Sequence, residues 1–243
     1  MTESLKLRIG LRLYWYSLKM SKPTLEEDLA SFSSHSKQME IYLTDLMQLI
    51  IDSGGVLEGN SFYQDSTLNI YPELFTKQVN IFCCGKLPGT KMCEIGFNAG
   101  HSCLLMLLGR DKAPIDFTVF DIGHHAYTKP CLEYIKSQFS HVKFEYVEGD
   151  STVTMPEWIQ QNSNTNGSYD LIHVDGGHTE HCISNDMKNA DILIKVGGIL
   201  IVDDVSLTHV NDCVNSYLAS GKYIEINVLT SYGYPHRIIR KKQ

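Results

Sequence analysis

From residue 90 onward two hydrophobic patterns take turns along the chain. Short apolar runs at 90–95, 116–121, 142–147, 169–175 and 199–203 have the length and β-branched or aromatic content of strands. Between and after them, 103–108, 126–139, 152–161, 180–194 and 207–218 place apolar residues at helical spacing. Two more strands, at 223–229 and 236–240, close the chain without an intervening helix, so they predict an antiparallel pairing at one edge. Regular strand–helix alternation predicts an α/β fold. Its core is a doubly wound, mostly parallel, seven-stranded sheet with an antiparallel C-terminal edge strand.

The first third of the chain reads differently. Leu5, Leu7, Ile9, Leu11 and Leu13 alternate with Lys6, Arg8, Gly10 and Arg12, the pattern of a strand with one basic face. A basic N-terminus also suits a targeting peptide, but Glu3 and the lack of a small-residue cleavage site speak against it. Tyr14, Trp15 and Tyr16 are core or subunit-contact residues, or a lid. Thr24-Leu25-Glu26-Glu27 is a capping box, and helical spacing then runs from Met39 to Ile51 and stops at Ser53-Gly54-Gly55. Residues 56–70 are polar and irregular, and 72–84 is a further helix ending at Gly85. We therefore expect an N-terminal extension, 1–85, of one strand plus helices acting as a cap or dimer contact, and a core at 86–243.

Composition narrows the function classes. With 43% hydrophobic and 20% charged residues the chain is globular, and a net charge of −7 argues against a nucleic-acid partner. The basic run at 240–242 reads as a solvated tail. Seven scattered cysteines without a C-x-x-C pair fit a reducing, cytoplasmic setting; Cys93, Cys103, Cys182 and Cys213 sit in apolar patterns and read as buried. No apolar run is long enough to predict a membrane span.

Chemistry concentrates at the ends of the predicted strands. Gly96 and Gly100 lie between a strand and a helix, where backbone N–H groups can meet a nucleotide-like ligand. Phe97 breaks the dinucleotide fingerprint, and no Gly-Lys-Ser/Thr makes a P-loop. An acidic residue lies at or just past every parallel strand end: Glu94, Asp121, Glu148 or Asp150, Asp175, and Asp203 with Asp204. A turn explains any one of these, but ligands of open α/β sheets bind at this edge.

The pattern E-x-G-x-x-x-G-x-S, Glu94 to Ser102, resembles motif I of the class I S-adenosylmethionine (SAM) methyltransferases, which have a Rossmann-like fold. The resemblance implies that Glu94, Gly96, Phe97, Asn98, Ala99, Gly100 and Ser102 form the cofactor loop. Asp121, 25 residues after Gly96, would accept the ribose hydroxyls. Ile122 would pack on adenine, with Asp150 and Ser151 near its amino edge; Ser151 serves equally as a helix start. His124 and His125 line the cofactor edge or face solvent, and His173 reads as packed inside its strand.

Asp175, Asp203 and Asp204 converge at neighbouring strand ends, where three carboxylates repel unless a cation compensates. Hard oxygen ligands suit Mg²⁺, or Mn²⁺ or Ca²⁺; the plain alternative has one Asp capping a helix and another facing water. These acids look like the metal ligands of the catechol and caffeoyl-coenzyme A type O-methyltransferases. His173-Val174-Asp175-Gly176-Gly177-His178 is similar to the I-D-G-x-H methyltransferases, which include sugar O-methyltransferases. The resemblance spans about 90–205. His178 stands where the catechol-type enzymes have a lysine base; it suits proton removal near neutral pH, or capping, or supporting Asp175.

The implied activity is methyl transfer from SAM to a hydroxyl of a sugar or small molecule, with Asp175 and His178 catalytic and a divalent metal assisting. A metal-free methyltransferase and a silent methyltransferase-like partner module are the alternatives. A nicotinamide-dependent oxidoreductase lacks its fingerprint. Substrate selectivity falls to 14–20, 56–70 and 231–236, where Tyr232, Tyr234 and His236 suit stacking on a sugar or aromatic ring. Fold analogy allows a homodimer through the N-terminal strand or helix.

Overall fold

The computed structural model describes residues 25–63, 71–110, 112–226 and 235–243. The expected N-terminal strand, the aromatic run at 14–16, Thr24 of the capping box, residues 64–70, and Tyr232 and Tyr234 lie outside the described residues.

Helices α1 (Leu25–Ser34), α2 (Ser36–Asp52) and α3 (Phe75–Gly85) precede strand β1 (Lys91–Ile95). The chain continues through α4 (His101–Arg110), β2 (Ile115–Asp121), α5 (Thr128–Gln138), β3 (Val142–Glu148) and α6 (Ser151–Gln161). It then runs through β4 (Tyr169–Val174), α7 (Glu180–Leu193), β5 (Ile194–Val202), α8 (Thr208–Ala219), β6 (Tyr223–Glu225) and β7 (Arg237–Lys241). The seven strands lie in the order β3-β2-β1-β4-β5-β7-β6. The pairs among the first five are parallel, and β7 runs antiparallel to both β5 and β6. The C-terminal strand therefore slots between β5 and β6, leaving the short β6 outermost.

Strand period sorts the side chains to two faces. Met92, Phe117, Val119, Leu171, Ile199 and Ile201 join a core shared with helices α1 to α5. Cys93, Ile95, Phe120, Ile172, Val174, Leu200 and Val202 join the core under α6, α7 and α8. Strand β5 begins earlier than the Gly197-Gly198 pair suggested, because Ile194 already pairs with Tyr169 and the irregularity near Leu171 absorbs the glycines.

Helix α3 is buried almost all round, polar residues included: Lys77, Gln78 and Asn80 lie inside with Val79, Ile81 and Phe82. It packs on α4 through two glycines. A Cβ on Gly85 would collide with the Met106 backbone, and one on Gly109 with the Phe82 carbonyl. This close approach fixes α3 over the end of the sheet. All seven cysteines are free, as expected, but Cys182 and Cys213 are half-exposed rather than buried. Cys182, in the first turn of α7, borders the cleft at the carboxyl ends of the strands, and Cys213 packs at the edge of the core under α8.

Candidate functional site

The order of β1, β2 and β4 makes a topological switch point: the chain leaves β1 for one side of the sheet and returns on the other. At the carboxyl ends of these strands lies a cleft of about 720 Å³. Its walls include the turn 95–99, Asp121 and Ile122, Gly149 to Ser151, Asp175 to His178, and Asp203 with Asp204. The strand-end residues singled out from the sequence are therefore gathered at one place, with Glu94 and Gly100 just behind the wall.

Asp121 latches the glycine-rich turn. One carboxylate oxygen accepts the backbone N–H groups of Phe97 and Asn98, both at 2.8 Å, and the other accepts that of Gly123 at 2.7 Å. Gly96 has φ +87°, and a Cβ there would overlap the Asp175 carbonyl, so the turn and the β4 end touch backbone to backbone. Asn98 is held at φ +53°, its amide donating to the Glu58 carbonyl and accepting the Tyr127 hydroxyl at 2.7 Å. The irregular loop after α2 thus closes one side of the cleft with Leu57 to Ser61. Ile122 remains 59% exposed, an apolar side chain at the rim ready for an apolar ring.

Glu94 does not reach the cleft. It is fully buried beneath it, where it accepts the Ser102 hydroxyl at 2.5 Å and pairs with His173 Nδ1 at 3.0 Å. The β1–β4 register sets this pair, because Glu94 and His173 face each other across the two strands. His173 is packed inside, as expected, and is also an ionic partner. Burial opposes its protonation, but the Glu94 bond and the carboxylates of Asp175 and Asp203 raise its pKa.

Asp150 caps α6, accepting the Thr152 N–H at 2.9 Å and the Thr152 hydroxyl at 2.7 Å, and these bonds lower its pKa. Ser151 is the first residue of α6 and borders the cleft. His125 stacks on Tyr127 at 4.8 Å and approaches the Glu58 carboxylate at 3.5 Å. Glu58, His124 and His125 bring ligand atoms within 4.8 Å of one another at the rim.

The acid cluster holds a partner the strand-end motifs do not include. Lys77, from α3, reaches into the cleft and forms an ion pair with Asp203; both side chains are buried. Burial would lower the Lys77 pKa, but Asp203, Asp175 and Asp204 outweigh it and hold it above the ordinary value, so the group is an ammonium. Asp175 is pushed well above the usual carboxylate range by burial and by Asp203, against the pull of Lys77 and His173. His178 Nε2 meets Asp204 Oδ2 at 2.7 Å, and this bond raises the imidazole pKa. Asp204 takes φ +53° to make that contact, while Thr179, not His178, caps α7.

The three carboxylates expected to share one metal do not form one shell. Asp175 groups with His173 and Asp203 on one side, and with His178 and Asp204 on the other. Asp203 already holds the Lys77 ammonium and Asp204 the His178 imidazole. Asp203 Oδ1 and His173 Nε2 are buried without a hydrogen-bond partner. As they stand, these residues do not fit a three-carboxylate Mg²⁺ site, because a cation there would sit against an ammonium.

Two further residues depart from or add to the sequence reading. His236 is buried and bonded through Nε2 to the Asn80 amide at 2.7 Å, away from the cleft walls, so it does not stack on a substrate. Strand β7 turns it inward against α3. His101 lines the cleft, edge-on to Phe62 at 5.4 Å, and burial followed by the Lys77 charge pushes its pKa down to about 4. Nothing in the local pattern marks His101 or Lys77. The nearest signal for Lys77 is that it is the one charged residue in the helical run 75–85.

Residues 93–205 match a family model described as a methyltransferase domain. No curated protein is significantly similar in sequence. Among solved structures, a protein from Corynebacterium glutamicum superposes with TM-score 0.58 at 15% identity, over 90% of this chain and 98% of that one. CalS11, described as a TDP-rhamnose 3'-O-methyltransferase of calicheamicin biosynthesis, gives 0.55 at 15% identity, over 91% and 97%. The O-methyltransferase NovP gives 0.50 at 17% identity, over 84% and 100%. At these identities the likeness is one of fold.

Proposed function

We propose that this chain, whose residues 93–205 match a methyltransferase domain, moves the SAM methyl group to a hydroxyl oxygen of a small molecule, with a sugar hydroxyl the favoured acceptor. The observation that carries the reading is the meeting, in one cleft, of a latched glycine-rich turn and an imidazole–carboxylate pair. The descriptions of CalS11 and NovP support an oxygen acceptor, and that of CalS11 a sugar.

SAM supplies an electrophilic methyl group on a positively charged sulfur. In this reading the 96–102 turn receives the methionine portion, Asp121 and Ile122 the nucleoside, and Asp150 with Ser151 the adenine edge. Glu94 acts from below by holding Ser102. His178 takes the acceptor's proton. Its Nε2 is committed to Asp204, which leaves Nδ1 as the basic nitrogen. Asp175, which also lines the cleft, orients the acceptor hydroxyl.

The described part of 1–85 serves as a cap on the 86–243 core, contributing Leu57 to Ser61 and Lys77 to the cleft wall. A divalent ion at Asp175, Asp203 and Asp204 would have to displace Lys77 from Asp203 and His178 from Asp204, so no step is assigned to it. Among the described residues no helix is long and apolar enough to cross a membrane. A cytoplasmic site of action and a homodimer through the N-terminal region complete the proposal.

Isothermal calorimetry with SAM tests the first half, and formation of S-adenosylhomocysteine across a panel of hydroxyl compounds tests the second. SAM heat with turnover on a hydroxyl panel is expected. Absence of SAM binding would sink the reading.

A further inference from the structure

Among the described residues that line the cleft, Lys77 is the one lysine or arginine, and it faces three carboxylates. It lies outside the 93–205 stretch that matches the methyltransferase model. Its position is built. Helix α3 packs closely on α4 at Gly85 and Gly109, where a Cβ would meet the facing backbone. The partner is equally fixed, since the Asp203 N–H donates to the Val174 carbonyl at 3.0 Å and its side chain is buried. A long flexible side chain pinned at both ends in a buried place is costly unless its charge is used.

An ammonium there supplies what the acid cluster lacks. It neutralises Asp203, moderates Asp175 and Asp204, and lines the cleft beside them. We propose that Lys77 is the resident cation of this site, taking the place a divalent ion would hold beside the acceptor oxygen. The inference rests on the methyl-transfer reading. The step balances without a metal. The hydroxyl proton passes to His178, an O–C bond forms as the S–C bond breaks, and the positive charge on sulfur is discharged. The Lys77 ammonium stays protonated throughout and steadies the oxygen as negative charge gathers on it.

The test is a Mn²⁺ titration followed by electron paramagnetic resonance on the full chain, as wild type, Lys77→Gln and Lys77→Arg, with turnover measured in EDTA and in added Mn²⁺. Wild type should leave Mn²⁺ free at millimolar concentration and turn over equally well in EDTA. Lys77→Gln should gain a Mn²⁺ site and lose about 100- to 1,000-fold in turnover, the usual effect of deleting one oxyanion donor. Lys77→Arg, which keeps the charge, should gain no such site.

Tight Mn²⁺ binding by wild type, with turnover abolished by EDTA, would overturn the proposal. So would Lys77→Gln losing turnover without gaining a metal site, since that is the mark of a purely structural ion pair. If Lys77→Gln fails to fold, shown by its circular dichroism melt, Lys77→Met takes its place with the same Mn²⁺ and turnover readouts. Failure of the methyl-transfer reading shows separately, as absence of SAM heat, and leaves the Mn²⁺ result intact.

Discussion

Replacing Asp121 by Asn separates two things this residue could do for a cofactor. The side chain is 8% exposed and its carboxylate accepts three backbone N–H groups, from Phe97, Asn98 and Gly123. An amide keeps one accepting oxygen. In its better orientation the oxygen serves Phe97 and Asn98, and the NH₂ is turned against the Gly123 N–H. One charge-assisted bond worth about 1.5–3 kcal/mol is then lost, and two more drop to neutral strength at about 1 kcal/mol each. The expected loss is therefore about 2.5–7 kcal/mol in the cofactor-free protein. Urea unfolding without SAM measures it directly. Calorimetry should then show SAM affinity reduced by about tenfold or more, because the turn must be ordered at the moment of binding. An unchanged urea midpoint would refute the latch, and weaker SAM binding with that midpoint unchanged would mean that Asp121 acts on the ligand alone.

The remaining predictions address the other contacts of the cleft. Gly96→Ala puts a Cβ into the Asp175 carbonyl at φ +87°, so SAM binding should be lost and the melting temperature should fall; wild-type values for both would show that the backbone contact has slack. Asp203→Ala removes the ion-pair partner of the buried Lys77 ammonium and should lower the urea midpoint. The Asp204 bond raises the His178 pKa, so the rising limb of turnover against pH should lie above that of an unperturbed histidine, and Asp204→Asn should move it to lower pH. The same pair contributes to stability fully below the unfolded histidine pKa and loses that contribution as pH rises through the folded value. The gap in urea midpoint between wild type and Asp204→Asn should therefore close in alkaline buffer.

What could be read in advance was whatever is encoded locally. The alternation of strand and helix patterns after residue 90, and the acids placed just past each strand, follow from side-chain period and turn chemistry within a few residues, and they located Gly96, Asp121, Asp175, Asp203 and Asp204 at one edge. Glu94 illustrates the limit. Its place in the pattern is evident, but its direction is set by the β1–β4 register, which turns it under the sheet toward His173 instead of toward a ligand. The segment after α2 carries no functional motif, so the contribution of Leu57 to Ser61 emerges only when that loop is packed on the sheet.

The sequence by itself determined the sheet, its polarity and the chemical character of its carboxyl edge, because each depends on neighbours along the chain. Only the tertiary structure decided how the charges of that edge are balanced. Lys77 and Asp203 are 126 positions apart, and a helix packed through glycines brings them together by shape rather than by any pattern in the chain.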